Sequence, residues 1–252
     1  MIFRIAYGVF AWTLFVVLSL VTLVLVLLAP RLHWRRSIAR WGARLFLPLA
    51  GMPLKVRGAE RLPATPCVVV ANHSSYLDGV ILKAALPAHF CFVIKKEMVR
   101  VPLAGALLRG IGSEFVDRFN RHSGGMDARR LIRTASGGQS LAFFPEGTFT
   151  AEVGLARFHT GAFVIATRAD MPIVPVVIRG ARRSLPANTI WPWPGALEVE
   201  VLSVLPIREG PDPTQQIAGL RDASRGQILA ALGEPDLAAA GQEPPGRDAT
   251  TD

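Results

Sequence analysis

The residues of this sequence best suited to chemistry are a histidine and an aspartate five positions apart, His73 and Asp78. Both follow the apolar run 67–71, which predicts a buried β-strand. Side chains at the carboxyl end of such a strand lie where open α/β folds bind ligands. Five residues turn about 500° around a helix, so one partner must lie in the loop and the other in the next helix. A carboxylate that folds back onto one imidazole nitrogen leaves the other nitrogen free as a general base.

The same spacing also has an ordinary explanation. A strand-to-helix turn capped by Asn72 or Ser74 would contain a histidine and an aspartate that never meet. With five histidines in 252 residues, one such spacing arises readily by chance. The pair therefore predicts a general base only if other features of the chain point to the same edge of the sheet.

Two further segments place polar residues at the ends of predicted strands. The strand predicted over 140–144 runs into a Phe-Pro-Glu-Gly-Thr turn, in which Glu146 supplies a carboxylate and Gly147 allows close backbone approach. The strand predicted over 114–116 is followed by Arg118, whose planar guanidinium suits bidentate binding of a phosphate. Taken singly, the first is an ordinary surface turn and the second a solvated arginine. Together with the histidine they predict a functional site.

In this order the motifs resemble the lysophosphatidate acyltransferase family of glycerolipid acyltransferases. The residues that carry the resemblance are His73 with Asp78, Gly112 with Phe115 and Arg118, the turn 144–148, and the apolar strand 174–178 that bears Pro175. The similarity extends from about residue 55 to about residue 207. Its specific part is the Phe-Pro-Glu-Gly-Thr turn, whereas the spacing of the histidine and the aspartate is weak by itself.

The resemblance implies an acyl transfer. His73 would take the proton from an acceptor hydroxyl as it attacks the thioester of acyl-CoA or acyl carrier protein, and Asp78 would hold the imidazole. The implied acceptor site contains Arg118, Glu146, Gly147 and Thr148, and a donor or packing role falls to Lys95, Lys96 and Pro175. Backbone donors near Gly147 are expected to face the oxyanion.

The same chemistry predicts that the protein needs neither a metal nor a cofactor. A thioester is already activated, so we expect no metal and no cofactor besides the acyl donor, which is a co-substrate. Two cysteines without flanking ligands make no metal site, and Cys67 and Cys91, both in apolar runs, are expected to be reduced core residues. A serine hydrolase is disfavoured because the sequence contains no Gly-x-Ser-x-Gly segment.

At two positions where the family pattern has a cationic side chain, this chain has a different residue. Many relatives follow Glu-Gly-Thr with arginine, where this chain has Phe149, and a family Phe-Lys-x-Gly-Ala block appears with His159 in place of the lysine. The favoured acceptor is 1-acylglycerol-3-phosphate, which would give phosphatidate in phospholipid biosynthesis. A lyso-ornithine lipid or a lysophospholipid is the alternative acceptor, and a non-catalytic lipid-binding membrane protein is the alternative function. Substitute cations are expected among Arg157, Arg179, Arg182 and Arg183.

The amino-terminal segment predicts attachment to a membrane. Hydrophobic residues make up 50% of the chain, the mean hydropathy is +0.34, and no charged side chain occurs from Ile5 to Pro30. About 25 residues with a rise of about 1.5 Å each would cross a hydrocarbon layer of roughly 30 Å. The run is too long for a cleaved secretory signal and lacks a cleavage site, so a retained segment is expected. It either spans the bilayer or lies in one leaflet as a bent pair of helices.

A basic and aromatic segment follows the apolar run, with Arg31, Arg35, Arg36, Arg40 and Arg44 interleaved with Trp34, Trp41 and Phe46. Cations that flank an apolar segment set its orientation, so the domain is expected on the cytoplasmic side of the cell inner membrane, against membrane lipid. A solvated arginine-rich connector is the alternative. A net charge of +9 also suits nucleic acid, but no nucleic-acid motif is present and no such partner is expected.

After the anchor, strands alternate with helices, which predicts one α/β domain with a largely parallel or mixed sheet flanked by helices. The predicted strands are 54–57, 67–71, 90–94, 114–116, 140–144, 173–178 and 197–205, and the predicted helices are 76–86, 103–108, 126–135 and 162–169. The expected divisions are a membrane-associated helical segment (1–30), an interfacial helix or connector (31–52), an acyltransferase catalytic domain (53–210), and a short helix near 214–232 with a disordered tail from 234 (211–252).

Overall fold

A single mixed β-sheet is the frame of the domain in the computed structural model, which describes residues 2–117, 121–207 and 212–240. Within these ranges the strands are β1 (Leu54–Arg57), β2 (Val68–Ala71), β3 (Cys91–Lys95), β4 (Glu114–Val116), β5 (Leu141–Phe143), β6 (Ile173–Arg179) and β7 (Leu197–Val201). Their order across the sheet is β1-β7-β6-β2-β5-β3-β4. Neighbours run parallel except β6 and β7, which are antiparallel. The carboxyl ends of β2, β5 and β3 therefore meet at one edge.

Helices cover both faces of this sheet. Their bounds are α1 (Ile2–Leu28), α2 (Leu32–Leu49), α3 (Asp78–Ala85), α4 (Ala104–Gly110), α5 (Arg121–Ser136), α6 (Gly161–Arg168), α7 (Ala181–Ser184), α8 (Pro213–Leu232) and α9 (Leu237–Ala240). Successive residues of a strand point to opposite faces, so Val69 packs with α2 and α3 while Val70 packs with α5, α6 and α8. Both faces are apolar, and every residue of β2 is buried.

The predicted α/β class is confirmed, and the sheet is mixed rather than purely parallel. Three predicted bounds were wrong. The last strand ends at Val201 rather than 205, and beyond it Leu205 makes only an isolated bridge to Ile173. The helix predicted from residue 126 begins at Arg121, although two glycines, which have a low helix propensity, lie in its first turns. The tail predicted as disordered from residue 234 contains α9, and only 241–252 lies outside the described residues.

The helices α1 and α2 are joined by three residues and pack against each other, and α1 also packs on the rest of the domain. The segment Phe3–Leu28 has a mean hydropathy of 2.7 and is long and apolar enough to cross a membrane. Near its start the Tyr7 hydroxyl donates to the Ala50 carbonyl at 2.5 Å, and near its end Val26 is fully buried beside Gly110. The remaining faces of α1 are apolar and exposed.

Arg36 anchors α2 to the edge of the sheet at which β3, β4 and β5 begin. This edge lies opposite the one at which β2, β5 and β3 end. Its guanidinium donates to the carbonyls of Ile111, His89 and Gly112 and to Gln139 Oε1, and the side chain is buried. The sequence predicted Arg36 as one of a row of interfacial or solvated arginines. That interpretation was wrong for this residue, because the carbonyls at the starts of β3 to β5 supply the acceptors that a buried guanidinium needs.

Lys83 on α3 is a buried amine close to this anchor. The side chain is 8% exposed, and Nζ lies 5.4 Å from the centroid of the Phe92 ring without a hydrogen-bond partner in the described part of the chain. Burial, reinforced by the Arg36 guanidinium, lowers the pKa of Lys83 from about 10.5 to about 8. The ionised amine therefore destabilises the fold.

Replacing Lys83 with methionine should raise the free energy of unfolding by about 1–3 kcal/mol at pH 7, because the variant buries no charge. Since the folded-state pKa is depressed, the unfolded chain binds more protons between about pH 8 and pH 10, and wild-type stability should rise across that window. Chemical denaturation in detergent at pH 7 and pH 9.5 measures both effects. Lys55→Met, at an exposed position on β1, is the control. Equal pH dependence in Lys83→Met and the wild type would contradict this account.

Candidate active site

His73 and Asp78 lie where β2 gives way to α3 at the carboxyl edge of the sheet. His73 is in the loop, and Asp78 is the first residue of the helix. Asp78 is fully buried, and its Oδ2 accepts hydrogen bonds from His73 Nδ1 at 2.9 Å, Ser74 N at 2.6 Å and Ser75 N at 2.8 Å. One carboxylate oxygen thus holds the loop and the imidazole together. The alternative in which the two side chains never meet does not describe this structure.

The loop itself is braced against the next strand. The Asn72 side chain makes two bonds to the backbone of Ile178 on β6, donating to its carbonyl at 3.0 Å and accepting from its amide at 2.7 Å. The Ser75 hydroxyl donates to the Leu185 carbonyl at 2.7 Å. Sequence reasoning considered Asn72 only as a helix cap and missed this contact, because a backbone partner more than a hundred residues away leaves no motif.

Glu146 connects the histidine loop to the turn after β5. Its Oε1 accepts from the His73 amide at 2.6 Å, and its Oε2 accepts from the Ala156 amide at 2.9 Å. The side chain is 7% exposed, and burial raises the pKa of Glu146 while the two amide donors oppose that rise. The sequence predicted that Glu146 helps to shape an acceptor site. In the structure, each of its two carboxylate oxygens accepts a hydrogen bond from a backbone amide of the protein.

Aromatic rings enclose the imidazole of His73. Phe144 stacks on it with ring centroids 4.4 Å apart and planes inclined by 20°, and Phe149 meets it at 4.5 Å and 62°. Tyr76 contacts Phe149 in turn at 4.7 Å. The His73 side chain is 18% exposed. Because Asp78 can only accept, Nδ1 carries the proton in the neutral ring, and Nε2 is the free basic nitrogen.

The turn of the predicted acceptor site has a conformation that favours glycine. Gly147 has φ +80°, and its amide donates to the Phe144 carbonyl at 3.1 Å, which closes the turn. That amide is therefore engaged within the turn, and the expectation that backbone donors near Gly147 face the oxyanion stays a prediction. The side chain of Thr148 is exposed. Arg118, predicted to bind the acceptor phosphate, lies outside the described residues.

The other predicted residues are spread along the sheet. Lys95 is exposed at the end of β3, and Lys96 Nζ lies 3.9 Å from Asp117 Oδ2. Pro175 is buried in β6, opposite Val70 of β2. This position agrees with a packing contact. Cys67 and Cys91 are buried and free, as predicted. In the described ranges no group of three or more metal-binding side chains is present.

Two of the four arginines predicted as substitute cations are engaged within the protein. Arg179 bonds to Glu198, Glu200 and the Ala231 carbonyl. Arg182 bonds to Glu234 and to carbonyls of the loop that follows Phe149. Arg157 and Arg183 are exposed.

An apolar cavity of about 110 Å³ lies beside these rings, between α1, α2, the start of α3 and the segment 185–192. Its walls are Ala11, Trp12, Phe15, Phe46, Met52, Tyr76, Leu77, Val80, Leu185 and Pro192. Tyr76 belongs both to this wall and to the ring group around His73. The cavity suits an aliphatic chain that ends near the imidazole. Sequence reasoning missed it, because four separate segments build its walls.

The chain is similar to several known proteins. A family model described as Acyltransferase matches residues 53–179, which is half of the chain. The 1-acyl-sn-glycerol-3-phosphate acyltransferase BAT2, chloroplastic, of Brassica napus is 31% identical over 162 residues, covering 62% of this chain and 47% of that protein. The lysophospholipid acyltransferase LPCAT4 of Homo sapiens is 34% identical over 185 residues, covering 68% of this chain and 33% of that protein. The chain thus spans less than half the length of either relative.

A solved structure has the same fold. The 1-acyl-sn-glycerophosphate acyltransferase PlsC of Thermotoga maritima superimposes with a TM-score of 0.77 at 18% identity, over 92% of this chain and 97% of that one. The likeness in fold extends beyond the segment that the family model matches to the helices on either side of it. Because the family model covers half of the chain and agrees with the motifs, the chain belongs to the acyltransferase family, in the group that resembles the lysophosphatidate acyltransferases.

Proposed function

We propose that the protein transfers a fatty acyl group from a thioester to the hydroxyl of a lysolipid. The observation that carries the proposal is the contact between His73 Nδ1 and the buried carboxylate of Asp78, which leaves Nε2 as a base at the rim of the sheet. Membership of the acyltransferase family supports the same reaction. The donor is acyl-CoA or acyl carrier protein, and no other cofactor takes part.

In the proposed reaction, Nε2 of His73 takes the proton of the acceptor hydroxyl while the oxygen attacks the thioester carbonyl. The tetrahedral intermediate collapses with loss of the thiolate, and the imidazolium returns the proton to the sulfur. Asp78 stays ionised and stabilises the imidazolium between these steps. The rings of Phe144 and Phe149 limit the access of water to the imidazole, which favours transfer over hydrolysis.

The acceptor ranked first is 1-acylglycerol-3-phosphate, the acceptor in the name of the Brassica napus relative. A lysophospholipid, as in the name of the human relative, is the second candidate. The observation that favours it is Phe149, whose apolar ring lies against His73. For a phosphomonoester, Arg118 and the exposed Arg157 and Arg183 are the proposed cations. Lys95 and Lys96 are the proposed contacts of the donor phosphates.

The helices α1 and α2 are proposed to lie in one leaflet of the cell inner membrane, with the domain on the cytoplasmic side. Packing along the length of α1, from Tyr7 to Val26, keeps the helix against the domain, so a perpendicular span would draw the domain into the bilayer. The outer face of α1 is apolar, and Trp34 and Trp41 on α2 are exposed. Such side chains suit the headgroup boundary.

His73→Ala should lower kcat/KM by about 10²–10⁴, and Asp78→Asn should lower it by a similar or smaller factor, because the base is lost or no longer held. Thiol release from acyl-CoA in detergent, with and without lysophosphatidate, measures this. His33→Ala, at an exposed position on α2, is the control. Undiminished turnover by His73→Ala would exclude the base assignment, and thiol release independent of acceptor would identify a thioesterase.

Glu146→Gln should lower kcat by about 10–100-fold with little change in either Michaelis constant, because the amide nitrogen of glutamine meets an N–H donor where the carboxylate accepted one. Steady-state kinetics with varied acceptor and varied donor test this. A selective rise in the Michaelis constant of the acceptor would show that Glu146 binds the acceptor rather than the loop.

Ala11→Leu should shift the preference of the enzyme towards shorter acyl chains by about two to four carbons, because the added methylenes fill the cavity that Ala11 lines. Competition between acyl-CoA substrates of graded length measures the shift. Val9→Leu, on the exposed face of the same helix, is the matched control. An unchanged chain-length profile in Ala11→Leu would mean that the acyl chain lies elsewhere.

A further inference from the structure

The carboxyl-terminal residues 234–237 lie against the loop that follows the Phe-Pro-Glu-Gly-Thr turn. We call residues 234–237 the C-terminal strap and residues 150–156 the catalytic-edge loop. The strap lies outside the part of the chain that the acyltransferase family model matches. It also falls in the tail that the sequence predicted to be disordered.

The strap and the loop are joined by backbone hydrogen bonds. The Leu155 amide donates to the Pro235 carbonyl at 2.9 Å, and the Leu237 amide donates to the Leu155 carbonyl at 3.2 Å. The approach is close at Gly154, whose φ is +145° and where a Cβ would lie 2.7 Å from the Pro235 carbonyl oxygen. The absence of a side chain at Gly154 therefore allows the backbone of the loop to pack directly against the backbone of the strap.

Arg225 of α8 connects both segments. Its guanidinium donates to the carbonyls of Leu155 at 2.9 Å and Ala156 at 3.0 Å, and it pairs with both carboxylate oxygens of Asp236 in the strap. The hydrogen bond from Arg225 lowers the pKa of Asp236 to about 2. Arg182 makes a second connection, between the Gly154 carbonyl and Glu234 Oε2 at 3.1 Å.

The loop in turn holds the histidine through Glu146. The Ala156 amide donates to one carboxylate oxygen of Glu146, and the other oxygen accepts from the His73 amide. A continuous path of hydrogen bonds thus runs from Asp236 through Arg225, Ala156 and Glu146 to His73. All four of its links, from Asp236 to Arg225, from Arg225 to Ala156, from Ala156 to Glu146 and from Glu146 to His73, involve a charged group, which makes them stronger and more directional than neutral bonds.

We propose that the C-terminal strap is a positioning element of the active site, which acts through Arg225, Ala156 and Glu146 on the backbone of His73. The inference rests on the proposed function for its effect on turnover, but the path itself is testable without activity. Loss of the strap should free the catalytic-edge loop and weaken the hold of Glu146 on the histidine, and the sheet should remain folded.

The test combines hydrogen exchange, read by mass spectrometry, with kinetics on the full-length protein in detergent. The variants are Arg225→Ala, the milder Arg225→Lys, and a deletion of residues 234–252. The controls are Arg221→Ala, one turn earlier on α8 and paired only with the neighbouring Asp222 among the described residues, and a deletion of 241–252 alone.

In the three test variants, the backbone amides of peptides that contain His73, and of peptides that contain Ala156, should exchange at least about tenfold faster. The exchange rates of peptides from β6 and β7 should not change. Turnover should fall by about tenfold, with the Michaelis constant of acyl-CoA within about twofold. In a Glu146→Gln background, Arg225→Lys should still raise exchange at Ala156 but should have little further effect on exchange at His73 or on turnover, because the path to the histidine is already broken at Glu146.

Unchanged exchange at His73 and Ala156 would overturn the proposal. So would exchange that rises equally in β7, because the strap would then stabilise only the domain as a whole. A wild-type protein that transfers no acyl group would refute the proposed function and leave the exchange result to decide the role of the strap.

Discussion

One carboxylate oxygen organises the candidate site. Oδ2 of Asp78 accepts from two consecutive backbone amides and from the imidazole of His73, at the first turn of α3. A buried carboxylate without such donors is very unfavourable, so the loop must deliver them whenever the domain folds. The positive end of the α3 dipole adds to the stabilisation of the charge. The orientation of the histidine thus comes from the three donors that surround Oδ2, while Oδ1 has no hydrogen-bond partner among the described residues.

The sheet brings the second half of the site to this point. Because β2 and β5 are parallel neighbours, the loops after them leave the same edge, and Glu146 reaches the His73 amide across 73 residues of sequence. Of the two Phe side chains that enclose the imidazole, Phe144 begins the turn that contains Glu146 and Phe149 directly follows that turn. The parallel strands therefore bring the two loops close together. The carboxylates of Asp78 and Glu146, one after each strand, then fix the position of His73.

The sequence predicted the parts of this arrangement that have residue-level signals. Apolar runs that end in polar side chains predicted the strand ends, and the spacing of His73 and Asp78 predicted one residue in the loop and one in the helix. The acyltransferase family followed from ordered motifs. Lysine and arginine roles were less predictable, because exposed and buried cations look alike in sequence, and Arg36 and Arg182 bind carbonyls of distant segments.

The unpredicted contacts have a common cause. Asn72, Glu146 and Arg225 all bond to backbone atoms, and a backbone partner has no residue identity from which a pattern could be recognised. The same holds for the strap, whose sequence Glu-Pro-Asp-Leu begins a tail with the composition of a disordered segment. Its order comes from the loop on which it packs rather than from its own propensity.

The central claim is that Asp78 fixes the His73 tautomer and so leaves Nε2 as the base. Nitrogen-15 NMR of protein labelled at its histidines, with the His73 signals assigned by comparison with His73→Gln, tests it directly at a pH where the imidazole is neutral. We predict a protonated Nδ1 and an unprotonated Nε2 in the wild-type protein. A His73 ring protonated at Nε2, with Nδ1 bare, would contradict the account.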